Sequence, residues 1–320
     1  MARALRSPGE RAILEGFRID ADSITDPRWD RVLPVFEEAQ MFMCRQMDNL
    51  LKRLPENSLM LDVGTGSGVF AIWAARRGHR VLGIDINPRA LRMAHQNALA
   101  NDVSVYDSLE TLKEGGVCFL LREFNKSFAT DEEFVNRFGC VFLNPPYNPT
   151  CPGVKAALHA ESGEDGQRCF REQISIVPAV VKNEGWCIGI QMTFKNQDGL
   201  DALQEIQRSF GETCLIQYTH ILDEEYFPTK EFLQTQYKLY LQEGRSTGLN
   251  TVDVRRYIDR VSKNNPQLAF IYYEVQKTSR YKAERRPNKL QPVFVPKRGW
   301  ADRIQLHKQI VEHTTDEHPE

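Results

Sequence analysis

The chain has 320 residues, 41% of them hydrophobic, and its 41 basic against 43 acidic side chains leave a formal net charge of -2. That is enough apolar material for one large core with a satellite or for two ordinary domains, while the near-neutral balance excludes a global pull toward nucleic acid or an anionic membrane. No run of about 18 apolar residues exists to span a bilayer, and the N-terminus Met1-Ala2-Arg3-Ala4-Leu5-Arg6 lacks the apolar stretch of a secretory signal, so the expectation is a cytoplasmic globular protein without a membrane partner. Seven scattered cysteines without a CxxC pair, and seven histidines without HExxH, predict neither a disulfide framework nor a metal site.

In chain order, apolar residues at helical spacing from Asp30 to Leu54 (among them Val32, Phe36, Met43, Met47 and Leu51) predict a helix ended by Pro55, the main part of an N-terminal helical segment, residues 1–55. The pattern then alternates: strand 59–63, helix 68–77, strand 80–84, helix 88–100. That succession indicates parallel βαβ units. Asn87 is a natural N-cap for the last of these helices, with Pro88 at N1, where its missing N–H costs nothing. A third strand is predicted at 103–106, a fourth at 140–143 and a fifth at 186–194, preceded by a helix, 172–182. Between the third and fourth, Gly115-Gly116 and a short helix, 131–137, read as a polar insertion. A helix (199–210) and two strands (213–222 and 234–242) complete a core of residues 56–243. Beyond it, a C-terminal extension (244–320) is predicted, with a helix, 252–264, and an apolar run, 268–275. Its stretch 277–308 carries ten basic residues against Glu284 and Asp302.

Two turns carry the chemistry. Asp62-Val63-Gly64-Thr65-Gly66-Ser67-Gly68 follows the first strand and opens the first helix, so its glycines can bend the chain and bring backbone N–H groups close to a ligand. By pattern alone it fits a dinucleotide or a nucleoside with a charged tail, and Asp85, ending the second strand, can accept hydrogen bonds from ribose hydroxyls in either case. No phosphate-binding Lys follows the glycines, as a P-loop would require. The second turn, Asn144-Pro145-Pro146-Tyr147, follows the apolar strand Cys140-Val141-Phe142-Leu143. Its two prolines forbid continuation of strand or helix, and the result is a rigid presentation of an amide and a ring in the crevice where open α/β sheets bind ligands.

With Leu61-Asp62-Val63-Gly64-Thr65-Gly66-Ser67-Gly68, Gly83-Ile84-Asp85-Ile86-Asn87-Pro88 and Asn144-Pro145-Pro146-Tyr147, the chain resembles the class I S-adenosylmethionine-dependent methyltransferases, and within them the amino-group N-methyltransferases. The resemblance covers roughly residues 30–243. It implies an α/β, Rossmann-like fold with a mostly parallel seven-stranded sheet and helices on both faces. It also implies S-adenosyl-L-methionine as cofactor, held by Asp62, Gly64, Thr65, Gly66, Gly68, Asp85, Ile86, Asp107 and Asn144. Asn144, Pro145 and Tyr147 are then the catalytic set, with Pro146, Phe36, Glu37 and Glu164 toward the acceptor. Within the class, Asn144-Pro145-Pro146-Tyr147-Asn148-Pro149 followed by Glu161-Ser162-Gly163-Glu164-Asp165-Gly166 is most similar to the release-factor glutamine N-methyltransferases. Val32-Leu33-Pro34-Val35-Phe36-Glu37 departs from the Pro-Arg-Pro-Glu-Thr-Glu of that branch at four positions, and only 61 residues precede Asp62.

The expected reaction is methyl transfer to a planar nitrogen of a side chain or small molecule. Adenine N6 methylation of RNA or DNA is the alternative, which the basic stretch 277–308 with Tyr281, Phe294 and Trp300 would serve. A non-catalytic cofactor-binding module is the third reading. Pyrimidine C5 methylation would want Pro-Cys at the turn, whereas the order here is Cys151-Pro152, several residues too late.

Overall fold

The computed structural model describes residues 10–14, 16–23, 26, 28–35, 40, 42–154, 157–212, 214–222, 224–242, 251–278 and 288–289. Its elements run β1 (Glu10–Leu14), β2 (Phe17–Ala21), α1 (Phe42–Leu51), β3 (Leu59–Val63), α2 (Val69–Ala75), β4 (Arg80–Asp85), α3 (Pro88–Ala100), β5 (Ser104–Tyr106), β6 (Gly116–Leu121), α4 (Lys126–Thr130) and β7 (Phe138–Leu143). They continue with α5 (Arg168–Val180), β8 (Val181–Asn196), β9 (Gly199–Leu200), α6 (Asp201–Phe210), β10 (Cys214–His220), β11 (Phe227–Pro228), α7 (Thr229–Gln242), α8 (Thr251–Asn264), β12 (Gln267–Lys277) and β13 (Asn288–Lys289).

Continuous apolar strands such as Leu59-Met60-Leu61, buried on both faces, belong in the middle of a parallel sheet covered by helices. The sheet has the order β13-β10-β12-β8-β7-β3-β4-β6-β5. β3, β4, β6, β7 and β8 run parallel, and β12 lies antiparallel between β8 and β10. Two apolar clusters fill its two sides. One gathers α1, α2 and α8 around Trp73, Phe142 and Phe270, and the other gathers α5 and α6 around Phe170, Ile206 and Tyr273. No helix among the described residues is long and apolar enough to cross a membrane.

Several elements differ from the sequence expectation. Among the described residues, the N-terminal helix is Phe42–Leu51, and a hairpin of β1 and β2 precedes it. Residues 31–35 stay extended because Val32 is claimed by Asp22: the Asp22 amide donates to the Val32 carbonyl (3.2 Å), and the Val32 amide donates to the Asp22 carboxylate (2.7 Å). Pro34 supplies no donor at all. The strand beside β4 is β6, and β5 is an edge strand outside it. Gly115 and Gly116 play different parts: Gly115 turns the chain at φ 69°, whereas Gly116 lies inside β6, where a Cβ would meet the Tyr106 ring at 2.4 Å. The helix expected at 131–137 is a run of turns, and α4 stands just before it, capped by Asn125, which accepts from Ser127 N at 3.0 Å.

The segment expected as strand 234–242 is the helix α7, anchored by buried Phe232 and Leu233, with the Phe232 ring 6.0 Å from Phe227. Tertiary packing outweighs a weak local alternation there. The apolar run at 268–275 is β12, pairing with β8 from Gln267↔Lys195 to Gln276↔Trp186. A boundary at 243/244 would therefore cut through the sheet, because the antiparallel strand of the core comes from the supposed extension.

Candidate functional site

β3, β4 and β7 run in one direction, so their C-terminal ends open on the same edge of the sheet. The turns leaving them converge on a cavity of about 530 Å³. Gly64, Thr65 and Gly66 line it from β3, Asp85 and Ile86 from β4, and Asn144, Pro145, Pro146 and Tyr147 from β7. The two motifs, about 80 residues apart in the chain, thus share one wall.

The glycine turn is built from beneath. Asp62 is buried, and its carboxylate accepts from Thr65 Oγ1 (2.7 Å) and from the Ala71 amide (3.2 Å), tying the strand end to the loop and the first turn of α2. Burial pushes this carboxyl up to about 7, against the opposing pull of those two hydrogen bonds. Asp62 does not line the cavity. Gly68, at φ 83°, also has a packing role: a Cβ there would lie 3.0 Å from the Ala94 Cβ, so the glycine lets α2 start against α3. Gly64 and Gly66 take left-handed angles of 65° and 55° at the cavity wall.

Asp85 joins the two donor-side turns. One carboxylate oxygen accepts from the Gly66 amide (3.0 Å) and the other from the Asn87 amide (2.8 Å), and burial raises its pKa from the ordinary carboxylate range. Asn87 caps α3 by accepting from Arg89 N at 2.9 Å, as its position before Pro88 predicts. Asp107 lies exposed after β5, away from the cavity. Arg122, Glu123 and Phe124, which follow β6, line the wall instead. The signal for them is the apolar run Gly116–Leu121, whose C-terminal end belongs at the same crevice.

The other half is assembled from distant segments. The Tyr147 ring packs 5.3 Å from Phe270 of β12. Asn148 bridges to Glu161, and the Thr150 amide donates to the Gly163 carbonyl (2.9 Å), so the 161–166 loop clamps the proline turn. Gly166 sits so close that a Cβ would come 2.5 Å from the Tyr147 carbonyl oxygen. Glu164 is exposed and does not line the cavity; its carboxylate pairs with Arg260, and its carbonyl accepts from the Tyr257 hydroxyl at 2.7 Å. Glu161, paired with Arg168 at 2.8 Å, lines the cavity in its place. Phe232, Thr235 and Gln236 of α7 and residues 31–35 complete the enclosure. Nothing in the sequence pattern marks the three residues of α7. Phe36 and Glu37 lie outside the described residues. Burial raises the thiols of Cys151 and of the cavity-lining Cys169, the reverse of what a cysteine nucleophile needs.

The profile of the family "Ribosomal protein L11 methyltransferase (PrmA)" matches residues 42–118, which hold the donor-side turns. The release factor glutamine methyltransferase of Geobacter sulfurreducens is 29% identical over 153 residues, 44% of this chain and 47% of that one. The tRNA (uracil(54)-C(5))-methyltransferase of Pyrococcus horikoshii is 34% identical over 124 residues, 37% of this chain and 26% of that one. This chain spans about half the length of the curated relatives it matches first. Among solved structures, a SAM-dependent methyltransferase from Agrobacterium tumefaciens superposes with a TM-score of 0.50 at 13% identity, covering 86% of this chain and 71% of that one. The sheet is Rossmann-like, as in class I methyltransferase structures, and the sequence similarity to S-adenosylmethionine-dependent methyltransferases centres on the donor-side turns.

Proposed function

We propose that this chain is an S-adenosylmethionine-dependent N-methyltransferase acting on a nitrogen attached to a planar group, a side-chain amide or a small-molecule amine. The observation that carries the reading is the meeting of the Gly64–Gly66 turn and the Asn144–Tyr147 turn in one cavity wall. The residues suit the cofactor. Asp85 offers a half-buried carboxylate to ribose hydroxyls, the left-handed glycines leave their backbone open to a charged amino-acid tail, and Ile86 and Phe124 offer apolar surface to a purine. When bound, S-adenosylmethionine supplies an electrophilic methyl group on sulfur.

What remains for the protein is to position the nitrogen and stabilise the charge that develops on it. An amide or exocyclic amine is a poor nucleophile, because its lone pair is delocalised. The Asn144 side-chain oxygen and the Pro145 carbonyl are acceptors for its two N–H bonds, and this pairing favours the attacking geometry. Tyr147 provides a ring face for the planar group. The methylated nitrogen is acidic and releases its proton to solvent, so no separate base is required.

The test is purified protein with methyl-labelled S-adenosylmethionine, offered peptides, protein extract, metabolite extract and RNA. Label in protein or metabolites supports the reading, and Asn144→Ala is expected to lower kcat by about 10²–10³-fold with product affinity little changed. Label confined to RNA would replace it with adenine N6 methylation. Of the basic stretch behind that alternative, all but Lys277 and Lys289 lie outside the described residues, and the Lys277 ammonium is engaged by the Pro178 and Val181 carbonyls at 2.8 and 3.0 Å. Cofactor binding without transfer to any acceptor would leave only a binding module.

A further inference from the structure

Asp26 and residues 28–31 belong to a loop whose neck is the pair of hydrogen bonds between Asp22 and Val32. The Asp22 carboxylate is almost fully buried, and Arg89 of α3 and Arg28 of the loop itself (2.9 Å) both donate to it. Arg28 also donates to Asp26, and the Arg31 guanidinium donates to the Asp26 carbonyl at 2.7 Å, so the loop is internally braced. Its far side touches both halves of the cavity. Asn87 Nδ2 donates to the Asp30 carbonyl (2.8 Å), and the same Asn87 donates its amide to Asp85 at the donor wall. On the other side, the Leu158 amide donates to the Trp29 carbonyl (2.8 Å), and His159 Nδ1 lies 3.2 Å from the Arg31 carbonyl. Leu158 leads within three residues to Glu161, which bridges to Asn148 of the proline turn.

We propose that Asp22, Asp26 and residues 28–35 act as a strap that couples the donor half of the cavity to the acceptor half, with Asp22 as its positioning residue. A run of backbone and side-chain hydrogen bonds joins Asp85, Asn87, the strap, the 157–161 loop and the proline turn, and three of them engage the strap carbonyls of Trp29, Asp30 and Arg31. Ordering the donor wall around a ligand therefore orders the acceptor loop, which is a coupling between two sites carried by one element. The inference rests on the cofactor reading above. Asp22 and Arg89 are not among the residues that line the cavity.

The test uses the full chain and S-adenosylhomocysteine, with calorimetry for affinity and hydrogen exchange for residues 157–163. In the wild type, product binding is expected to slow exchange across 157–163. In Asp22→Asn the dissociation constant rises about tenfold and that protection disappears, while the thermal transition remains cooperative. Arg89→Gln, which removes the less exposed of the two arginine partners and leaves Arg28 in place, repeats both effects more weakly and carries the test if Asp22→Asn does not fold. Unchanged affinity together with retained protection of 157–163 in a folded variant overturns the strap and leaves the cofactor reading standing. Failure of the wild type to bind S-adenosylhomocysteine overturns both.

Discussion

The two halves of the cavity are built in opposite ways. The donor half is local: β3, the glycine turn, α2, β4 and the cap of α3 occupy residues 59–100, and Asp62 and Asp85 stitch them together over short sequence separations. The acceptor half draws on the strap near residue 30, the turn at 144, the loop at 161–166, α7 and β12. One half is a motif, and the other is a meeting place. A local unit is specified by strand, turn and helix signals in a row, whereas a surface made of five distant segments exists only once the sheet is complete.

That contrast is broken most severely by removing a long-range support. Phe270→Ala is expected to cost about 3–5 kcal/mol in stability, because the ring is buried in the core cluster and holds Tyr147 from β12. Urea unfolding measures the loss, and acceptor KM should rise while product affinity changes little. On the donor side, Asp85→Ala leaves the Gly66 and Asn87 amides without their charged acceptor. Product affinity should fall by about 10- to 100-fold, from about 1.5–3 kcal/mol for hydrogen bonds to a charged group.

Asp62 gives the donor half a pH signature. Its carboxyl is raised to about 7 from an ordinary value of 3.8, so its contribution to stability is complete below the unfolded pKa and is lost as pH rises through 7. The wild type should therefore lose up to about 1.4 kcal/mol per pH unit from this group between roughly pH 4 and 7. Asp62→Asn, which carries no titrating proton, should flatten that slope in urea midpoints measured across the range. The smallest effect belongs to Glu164→Gln. Its pair with Arg260 has both side chains more than half exposed, so about 0.2–1 kcal/mol is at stake, and acceptor KM should stay within about twofold.

Legibility in the sequence followed the same division. Gly64, Thr65, Gly66, Asp85, Ile86 and the Asn144–Tyr147 turn were readable as cavity residues because each stands at the end of a strongly apolar strand, and strand ends in a parallel sheet share one edge. Asp62 and Gly68 were readable as parts of the motif, but their work is to hold the turn. Asp107 lies off the wall because it follows the short edge strand β5; β6, which begins at the second of two glycines, stands beside β4 and brings Glu123 and Phe124 to the wall. Glu164 shares a loop with Glu161, and side-chain direction within a loop is set by its partners, here Arg260 and Tyr257.

The chain's own order of residues was enough to determine a parallel α/β core, a glycine turn after its first strand and a rigid amide-bearing turn at Asn144, since strand hydrophobicity, positive-φ glycines and paired prolines act within a few residues of themselves. Only the tertiary structure decided that β12 joins the sheet from beyond residue 243, that α7 is a helix over the cavity, and that residues 29–31 reach both of its halves. Those outcomes depend on which buried surfaces meet across the sheet, and a local pattern carries no record of its distant partner.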